Sequence, residues 1–294
     1  MPSTAPLARE YVAPSLVLRR RRFDWGARTY LMGIINVTPD SFSGDGILGD
    51  PAAAAALATR FEAEGADILD IGAESSRPGA PELDPADELR RLLPALEAVR
   101  AATDLPLSID TYHPAVAEVA LAHGADAIND IMGLRRDPFM AALAARTGCT
   151  LIAMHNQRGR PFRDVADDIR AGFDATLTRA ASTGIDPSRI ILDPGFGFGW
   201  TPEQNLEMVR RLPELWSLRT PLLLGPSRKS TLGLLLGTAV DERIEGTAAL
   251  TALGAAAGAD IIRVHDVAAM RRVLKVTDAV ARANWQYQPG DSRG

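Results

Sequence analysis

Residues 31–36 read LMGIIN, a short apolar run that ends in a polar side chain, Asn36. The pattern recurs seven more times, and the polar ends of those runs are Asp70, Asp110, Asn129, His155, Asp193, the segment 227–229 and the pair Arg263 and His265. Helix-like segments separate the runs, and strands that alternate with helices predict a parallel sheet. Eight such units indicate an α/β fold, a (β/α)8 TIM barrel, whose active site lies where the carboxyl ends of the strands converge.

The length of the chain fits one such barrel. A barrel needs about 250 residues, and the chain has 294, of which 46% are hydrophobic. Two smaller domains would fit the length equally well, but the even strand–helix rhythm from Tyr30 to about Ala283 argues against a break. We expect an N-terminal leader over 1–28, folded as a hairpin across the barrel bottom, a single-domain barrel over 29–284 and a C-terminal tail over 285–294.

The composition of the chain limits the kinds of partner and the cellular compartment that it fits. The formal net charge of −5 gives no basic footprint for nucleic acid. No apolar run is long enough to cross a membrane, and the first thirty residues lack the apolar core of a signal peptide. The single cysteine, Cys149, rules out an intramolecular disulfide and is interpreted as a small buried apolar residue. The arginine run 19–22 is interpreted as a solvated turn, and a cytoplasmic location is expected.

Local signals place the helices. Asp50 before Pro51 is typical of an N-cap with proline at the first helical position, and that helix runs to Gly65. Gly-Ala-Asp recurs at Gly65, Gly124 and Gly258, where glycine suits the left-handed residue that ends a helix. We interpret this repeat as loop structure on the face of the barrel opposite the active site, where residues serve stability and not catalysis. Further helices are predicted at about 86–102, 114–123, 138–147, 165–183, 203–211, 242–257 and 267–283.

Four strand ends carry acceptor groups: Asp70, Asp110, Asn129 and Asp193. Ionised carboxylates accept hydrogen bonds, and an amide both donates and accepts them. These four residues, called here the acceptor wall, favour a flat, neutral heterocycle rich in N–H donors as the ligand. Any one of these residues could instead cap a helix or anchor a loop, but four at strand ends indicate a binding site.

A cationic set comprises Arg77, Lys229, Arg263 and His265. Arginine matches phosphate geometry and lysine supplies a point charge, so an anionic ligand or leaving group is expected near strands seven, eight and one. The segment 227–230, SRKS, also opens a helix, where backbone N–H groups favour an anion. Arg77 could instead be a surface ion pair. Lys229 could instead be a Schiff-base lysine, but its position directly after an arginine at a helix start favours anion contact. A nitrogen heterocycle that carries phosphate would satisfy both sets.

Seven motifs together resemble the dihydropteroate synthase family: MGIINVTPDSF, ESSRPG, SIDT, NDI, DPGFGFG, GPSRKS and RVHDV. They occur in the family's order from about Met32 to about Val280. The resemblance implies condensation of (7,8-dihydropterin-6-yl)methyl diphosphate with 4-aminobenzoate, which gives 7,8-dihydropteroate and diphosphate on the route to folate. It also implies a Mg2+ cofactor, a homodimer and sulfonamide sensitivity.

The resemblance assigns a role to individual residues. Asp110, Asn129, Asp193 and Lys229 would hold the pterin, with Asp70 nearby and Met154 in apolar contact. Asn36 would meet Mg2+, and Arg263 with His265 would hold the diphosphate. Around the aminobenzoate and along the loops, the implied residues are Ser76, Arg77, Phe198, Gly225, Ser227, Thr38, Asp40 and Phe42. The catalytic group would be Lys229, Arg263, His265 and Asp110, and His155 is given no catalytic role.

The chain departs from the family pattern at Gly44, Ser76, Trp200 and Pro226. These differences affect the expected loop behaviour, aminobenzoate affinity and sulfonamide sensitivity, and none removes a predicted ligand. Bulk added near Phe42 is expected to hinder sulfonamides more than substrate. Two rivals stay open: a methyltransferase that uses methyltetrahydrofolate and a corrinoid partner, and a silent pterin-binding paralogue. The SRKS and RVHDV motifs favour the synthase, because a methyltransferase needs no diphosphate site.

Overall fold

A computed structural model of the chain describes residues 13–38, 50–74 and 82–286. In these ranges the strands are β1 Leu16–Leu18, β2 Arg21–Phe23, β3 Tyr30–Asn36, β4 Ile68–Gly72, β5 Leu107–Asp110, β6 Ala127–Asp130, β7 Thr150–Met154, β8 Ile190–Asp193, β9 Leu223–Leu224 and β10 Ile261–Val264. The helices are α1 Pro51–Ala63, α2 Pro85–Ala102, α3 Pro114–Ala122, α4 Pro138–Thr147, α5 Val165–Thr183, α6 Pro202–Arg211, α7 Ser230–Leu236, α8 Ile244–Ala256 and α9 Val267–Ala281.

Strands β3 to β10 form one parallel sheet that closes on itself. The strand order is β8-β7-β6-β5-β4-β3-β10-β9, and each neighbouring pair is parallel. A parallel bridge between Leu192 and Leu222 joins the last two edges, and the Leu192 N–H donates to the Pro221 carbonyl at 2.9 Å. The predicted (β/α)8 barrel is therefore confirmed.

A hairpin closes the amino-terminal end of the barrel. β1 pairs antiparallel with β2, and Phe23 and Trp25 pack into one buried cluster with the strand residues Met32, Ile68 and Ile152. Burying an aromatic or aliphatic side chain of this size contributes about 1.5–3 kcal/mol, so the hairpin seals the barrel core at this end. The expected hairpin is found, while the domain boundaries at 28/29 and 284/285 stay predictions.

The three Gly-Ala-Asp repeats form the same structure. Gly65, Gly124 and Gly258 have φ of +94°, +96° and +94°, as the interpretation of a left-handed helix end requires. The aspartate two residues later then bonds the backbone of the neighbouring strand. Asp67, Asp126 and Asp260 each accept an N–H at 2.9 Å, from Leu31, Leu107 and Leu222 respectively. The repeat therefore fixes strand register at the end away from the polar strand ends.

The helix predictions are confirmed to within about three residues at each end. Asp50 caps α1 by accepting from the Ala52 N–H at 2.9 Å. Cys149 is buried, as expected, and Arg19 and Arg20 lie in the exposed turn of the hairpin. Within the described ranges, no helix combines the length and apolar content that crossing a membrane requires.

Candidate active site

The ends of β4, β6 and β10 bring Asp70, Asn129 and Arg263 into contact. Asp70 is fully buried, and its Oδ2 accepts from Asn129 Nδ2 at 3.0 Å and from Arg263 Nε at 2.6 Å. The Oδ1 atoms of Asp70 and Asn129 are also buried, and neither accepts a hydrogen bond from another described residue. These two oxygens can therefore accept N–H groups of a ligand.

Asp110, at the end of β5, joins this group through the same arginine. Arg263 Nη2 donates to Asp110 Oδ2 at 2.9 Å. Burial raises the pKa of Asp110 to about 7; Arg263 opposes the rise, and the nearby Asp70 carboxylate adds to it. One guanidinium thus lies between two neighbouring carboxylates and offsets part of their mutual repulsion.

Asp193, at the end of β8, and Lys229, in the loop after β9, lie close enough for their charges to interact. Burial raises the pKa of Asp193 to about 6, although its Oδ1 accepts from the Gly195 N–H at 2.7 Å. Burial and repulsion from Arg263 lower the pKa of Lys229 to about 8, against the attraction of Asp193. At pH 7 the carboxylate is mostly ionised and the lysine mostly protonated. The charge of a bound ligand can therefore change the protonation of both side chains.

Phe198 and Met154 supply the apolar surface of the pocket. They pack together with Ile131 in a small buried cluster. Lys229 Nζ lies 4.2 Å from the centroid of the Phe198 ring, a cation–π distance. A flat ligand held by the polar wall would therefore meet an apolar surface with a cation beside it.

The ends of β9 and β10 carry Ser227 and His265 in direct contact. Ser227 Oγ lies 2.9 Å from His265 Nδ1 and accepts the His265 backbone N–H at 3.2 Å. Arg228 has φ +55°, and its guanidinium bonds Asp266 at 2.7 and 3.1 Å. In the SRKS motif, Ser227 and Lys229 accordingly belong to the pocket, whereas Arg228 bonds Asp266 and fixes the loop. Gly225 lies on the same loop, where a Cβ would approach the Arg263 Cβ to 3.9 Å.

The first strand places Asn36 at its carboxyl end, partly exposed, and Thr38 follows as a buried residue. The Asn36 amide oxygen suits Mg2+, which takes one or two protein oxygens together with substrate phosphates. The donor chemistry therefore fits the implied metal. The remaining residues predicted for the first two loops lie outside the described ranges: Asp40, Phe42, Gly44, Ser76 and Arg77.

A second group of possible metal ligands consists of Glu74, Glu88 and His113, with ligand atoms within 4.8 Å of one another. His113 Nδ1 lies 2.7 Å from Glu88 Oε2, and the Tyr112 hydroxyl donates to Glu74 Oε1 at 2.5 Å. An imidazole suits Mg2+ poorly. We therefore interpret this cluster as a hydrogen-bonded anchor between the loops after β4 and β5, and leave the magnesium prediction with Asn36.

His155, to which the family resemblance gave no catalytic role, is a packing residue. Its ring is buried between Phe173 and Trp200, with Nε2 2.8 Å from Gln157 Oε1, and burial lowers its pKa to about 4. The ring is therefore neutral at physiological pH. Trp200, one of the departures from the family pattern, fills the space behind it, and Pro226 is also buried.

In the structure, residues of the acceptor wall contact a residue of the cationic set, although the sequence predicted the two as separate. Arg263, grouped with the diphosphate residues, bonds Asp70 and Asp110 of the pterin wall. The contact was not visible in the sequence because β10 and β5 lie far apart along the chain and meet only across the barrel. A further residue, Arg158, also lies at the pocket; its loop was singled out for composition, but nothing in the sequence marked this arginine.

A cavity of about 840 Å³ lies beside the hairpin, at the opposite end of the barrel. Its lining includes Asp67, which is bonded by Arg28 at 2.6 Å and by Arg271 at 2.7 Å, and the exposed Trp285. The buried carboxylate there neutralises two arginines and fixes a strand. We therefore assign this cavity, at the amino-terminal end of the barrel, a structural and not a catalytic role.

Residues 32–265 match the model of a family described as pterin binding enzyme. A dihydropteroate synthase from Synechocystis sp. is 44% identical over 282 residues, which cover 93% of this chain and 97% of the relative. A Clostridium difficile dihydropteroate synthase, solved with pteroic acid, is 45% identical, with a TM-score of 0.84 and coverage of 88% and 99%. The Xanthomonas albilineans synthase, solved with 4-aminobenzoic acid, is 39% identical, with a TM-score of 0.84 and coverage of 92% and 98%.

Parallel-barrel architecture and a carboxylate–amide wall beside cations define a pterin-binding barrel enzyme. The chain belongs to the pterin binding enzyme family, in the group of the dihydropteroate synthases. The predicted family and enzyme class, a transferase, are confirmed, and the corrinoid methyltransferase and the silent paralogue lose support.

Proposed function

We propose that this chain condenses (7,8-dihydropterin-6-yl)methyl diphosphate with 4-aminobenzoate, giving 7,8-dihydropteroate and diphosphate. The observation that carries the proposal is the set of buried acceptors Asp70, Asn129 and Asp193, of which Asp70 bonds Asn129 and is joined to Asp110 through Arg263. A dihydropterin presents N–H donors along one edge, and a buried acceptor without a donor partner costs about 1–3 kcal/mol. Binding of the heterocycle therefore supplies hydrogen-bond donors to these buried acceptors.

The residues of the wall also suit the charge that develops in the reaction. When the bond between the methylene carbon and the diphosphate oxygen breaks, positive charge spreads over the dihydropterin. Asp70, Asp110 and Asp193 stabilise that charge, as fixed groups do when they match the transition state. The aminobenzoate nitrogen then attacks the methylene carbon and loses a proton to the departed diphosphate or to water, so no nucleophile from the enzyme is needed.

The diphosphate would lie at the other side of the pocket. Arg263, His265 and Ser227 supply donors at the ends of β9 and β10, and Lys229 supplies a nearby positive charge. Asn36 would hold Mg2+, which when bound neutralises the charge that accumulates on the leaving diphosphate. Met154 and Phe198 would pack against the pterin and the aminobenzoate. Ser76, Arg77, Gly225, Thr38, Asp40 and Phe42 keep the roles that the resemblance gives them.

The test is a product assay with the purified chain, pterin diphosphate, labelled 4-aminobenzoate and Mg2+. We expect labelled dihydropteroate and diphosphate in equal amounts, and loss of both when a chelator removes Mg2+. Tight pterin binding without product would indicate a silent paralogue. Methyl transfer from methyltetrahydrofolate to a corrinoid protein would indicate the methyltransferase. Either result would overturn the proposal.

We also propose a homodimer through α7 and α8, in the cytoplasm. These two helices expose large apolar side chains: Leu234, Leu235, Leu236, Ile244 and Leu253. Exposed apolar side chains of this size are typical of protein interfaces. Light scattering at micromolar concentration should give the mass of two chains. A Leu235→Asp variant should give one chain, and a mass of one chain for the unchanged protein would contradict the dimer.

A further inference from the structure

Three side chains that the proposed reaction does not use, Glu74, Glu88 and His113, meet where the segments after β4 and β5 approach the start of α2. Glu74 follows β4, Glu88 lies in the first turn of α2, and His113 immediately precedes α3. One possible ligand atom from each lies within 4.8 Å of the other two. A single cation at the centre of this group could therefore contact all three side chains.

Glu88 has a buried oxygen without a hydrogen-bond partner. The side chain is 1% exposed, and its Oε2 lies 2.7 Å from His113 Nδ1. Its Oε1 is buried and accepts no hydrogen bond from another described residue. Burial raises the pKa of Glu88; His113 opposes the rise, and the Glu74 carboxylate adds to it. A cation would supply the missing contact and offset the repulsion between the two carboxylates.

The His113 ring has a carboxylate near each of its nitrogens. Nδ1 faces Glu88, and Nε2 lies 3.6 Å from Glu82 Oε1. A histidine that binds a metal through one nitrogen usually gives its other N–H to a carboxylate or carbonyl, which fixes the tautomer and makes the ligand nitrogen more basic. Glu82 lies where that acceptor is needed, and it also forms an ion pair with Arg136.

Glu74 is oriented by its neighbour Tyr112. The Tyr112 hydroxyl donates to Glu74 Oε1 at 2.5 Å. Burial, together with this hydrogen bond, raises the pKa of the hydroxyl, so it keeps its proton and stays a donor. Glu74 is also partly exposed, which gives an ion a path from solvent. One imidazole and two carboxylates form a ligand set that suits Zn2+ and neutralises its charge, whereas Mg2+ prefers oxygen ligands alone.

We propose that Glu74, Glu88 and His113 bind one Zn2+ ion, with water as the fourth ligand. The ion would contact His113 through Nδ1 and leave the N–H on Nε2, toward Glu82. It would thus replace the hydrogen bond between His113 and Glu88 and tie the segment after β4 to the starts of α2 and α3. This zinc is structural, is separate from the Mg2+ predicted at Asn36, and does not depend on the proposed function.

The test measures Zn2+ binding to the full chain, freed of metal with a chelator and dialysed into excess Mg2+. Calorimetric titration and metal analysis should give one Zn2+ per chain at about 10 µM free metal. Saturation should raise the melting temperature by about 3–8 °C. His113→Gln should weaken zinc binding at least about a hundredfold and remove that rise, and Glu82→Gln should weaken binding about tenfold.

His123→Gln is the matched control. His123 lies at the other end of α3, with Nδ1 2.9 Å from Glu97 Oε1, but it belongs to no group of three possible ligands among the described residues. That variant should bind zinc as the unchanged chain does. If both histidine variants kept the same zinc affinity, the ion would lie elsewhere and the proposal would be wrong.

A second variant keeps the test decisive if His113→Gln does not fold. Glu74→Gln changes a partly exposed side chain and should weaken zinc binding at least about tenfold. Unchanged affinity in Glu74→Gln would overturn the proposal. So would an unchanged chain that binds no zinc at about 100 µM free metal, where a site of the expected affinity is more than nine-tenths filled.

Discussion

Replacing Arg263 with glutamine will lower kcat/KM for the pterin diphosphate by at least about a hundredfold. The guanidinium bonds two carboxylates at once, Asp70 at 2.6 Å and Asp110 at 2.9 Å, and Asp70 is fully buried. Without it, the two carboxylates that face the pterin lose their shared cation and the diphosphate loses a donor. A hundredfold loss corresponds to about 2.7 kcal/mol of transition-state stabilisation. Steady-state kinetics of Arg263→Gln measure this loss directly.

The same variant will shift the pH dependence in a defined direction. Arg263 lowers the pKa of Asp110, which burial has raised to about 7. Without the guanidinium that pKa rises further, so any activity that needs the ionised Asp110 carboxylate moves to higher pH. The residual kcat/KM should therefore increase over a higher pH range than in the unchanged enzyme. A residual rate with an unchanged pH profile would show that Asp110 ionisation does not control the reaction.

Arg271→Gln provides a matched control. Arg271 is about as exposed as Arg263 and bonds the buried Asp67 at 2.7 Å, but at the opposite end of the barrel. Its removal should lower thermal stability and leave kcat/KM within about threefold once the protein is folded. If both variants lost activity in proportion to stability, or if Arg263→Gln kept full activity, the assigned role of Arg263 would be wrong.

Replacing Gly195 with alanine will destabilise the barrel by about 3 kcal/mol or more. Gly195 has φ +79°, and a Cβ there would lie 2.0 Å from the His155 carbonyl oxygen. That oxygen belongs to the neighbouring strand end and cannot move away as a flexible side chain would. The displacement also moves the N–H that bonds Asp193, so activity should fall together with the melting temperature in calorimetry.

The control for this prediction is Gly184→Ala. Gly184 has almost the same backbone, φ +84°, at the end of α5, but a Cβ there has nothing within 4 Å. Only the left-handed conformation opposes alanine at this position, at about 1–2 kcal/mol. The difference between the two variants measures the steric cost at Gly195. Equal melting temperatures would show that the His155 contact carries no such cost.

The order of residues along the chain is enough to predict the barrel and its eight polar strand ends. Alternation of apolar runs with helices reflects local hydrogen bonding and burial, so it is readable along the chain, and the Gly-Ala-Asp repeats even marked the loops at the opposite end. The sequence also placed Asp70, Asp110, Asn129 and Asp193 on one face, because the carboxyl ends of parallel strands must meet there.

Which of these groups bond to each other depends on the closure of the barrel. Arg263 lies 193 positions from Asp70 and 153 from Asp110, and closure of the sheet brings all three within hydrogen-bond distance. The same closure places Arg158 and Lys229 on one ring of Phe198. Side-chain direction and burial across a closed barrel set these contacts and the pKa values that follow from them, and neither quantity has a local signal in the chain.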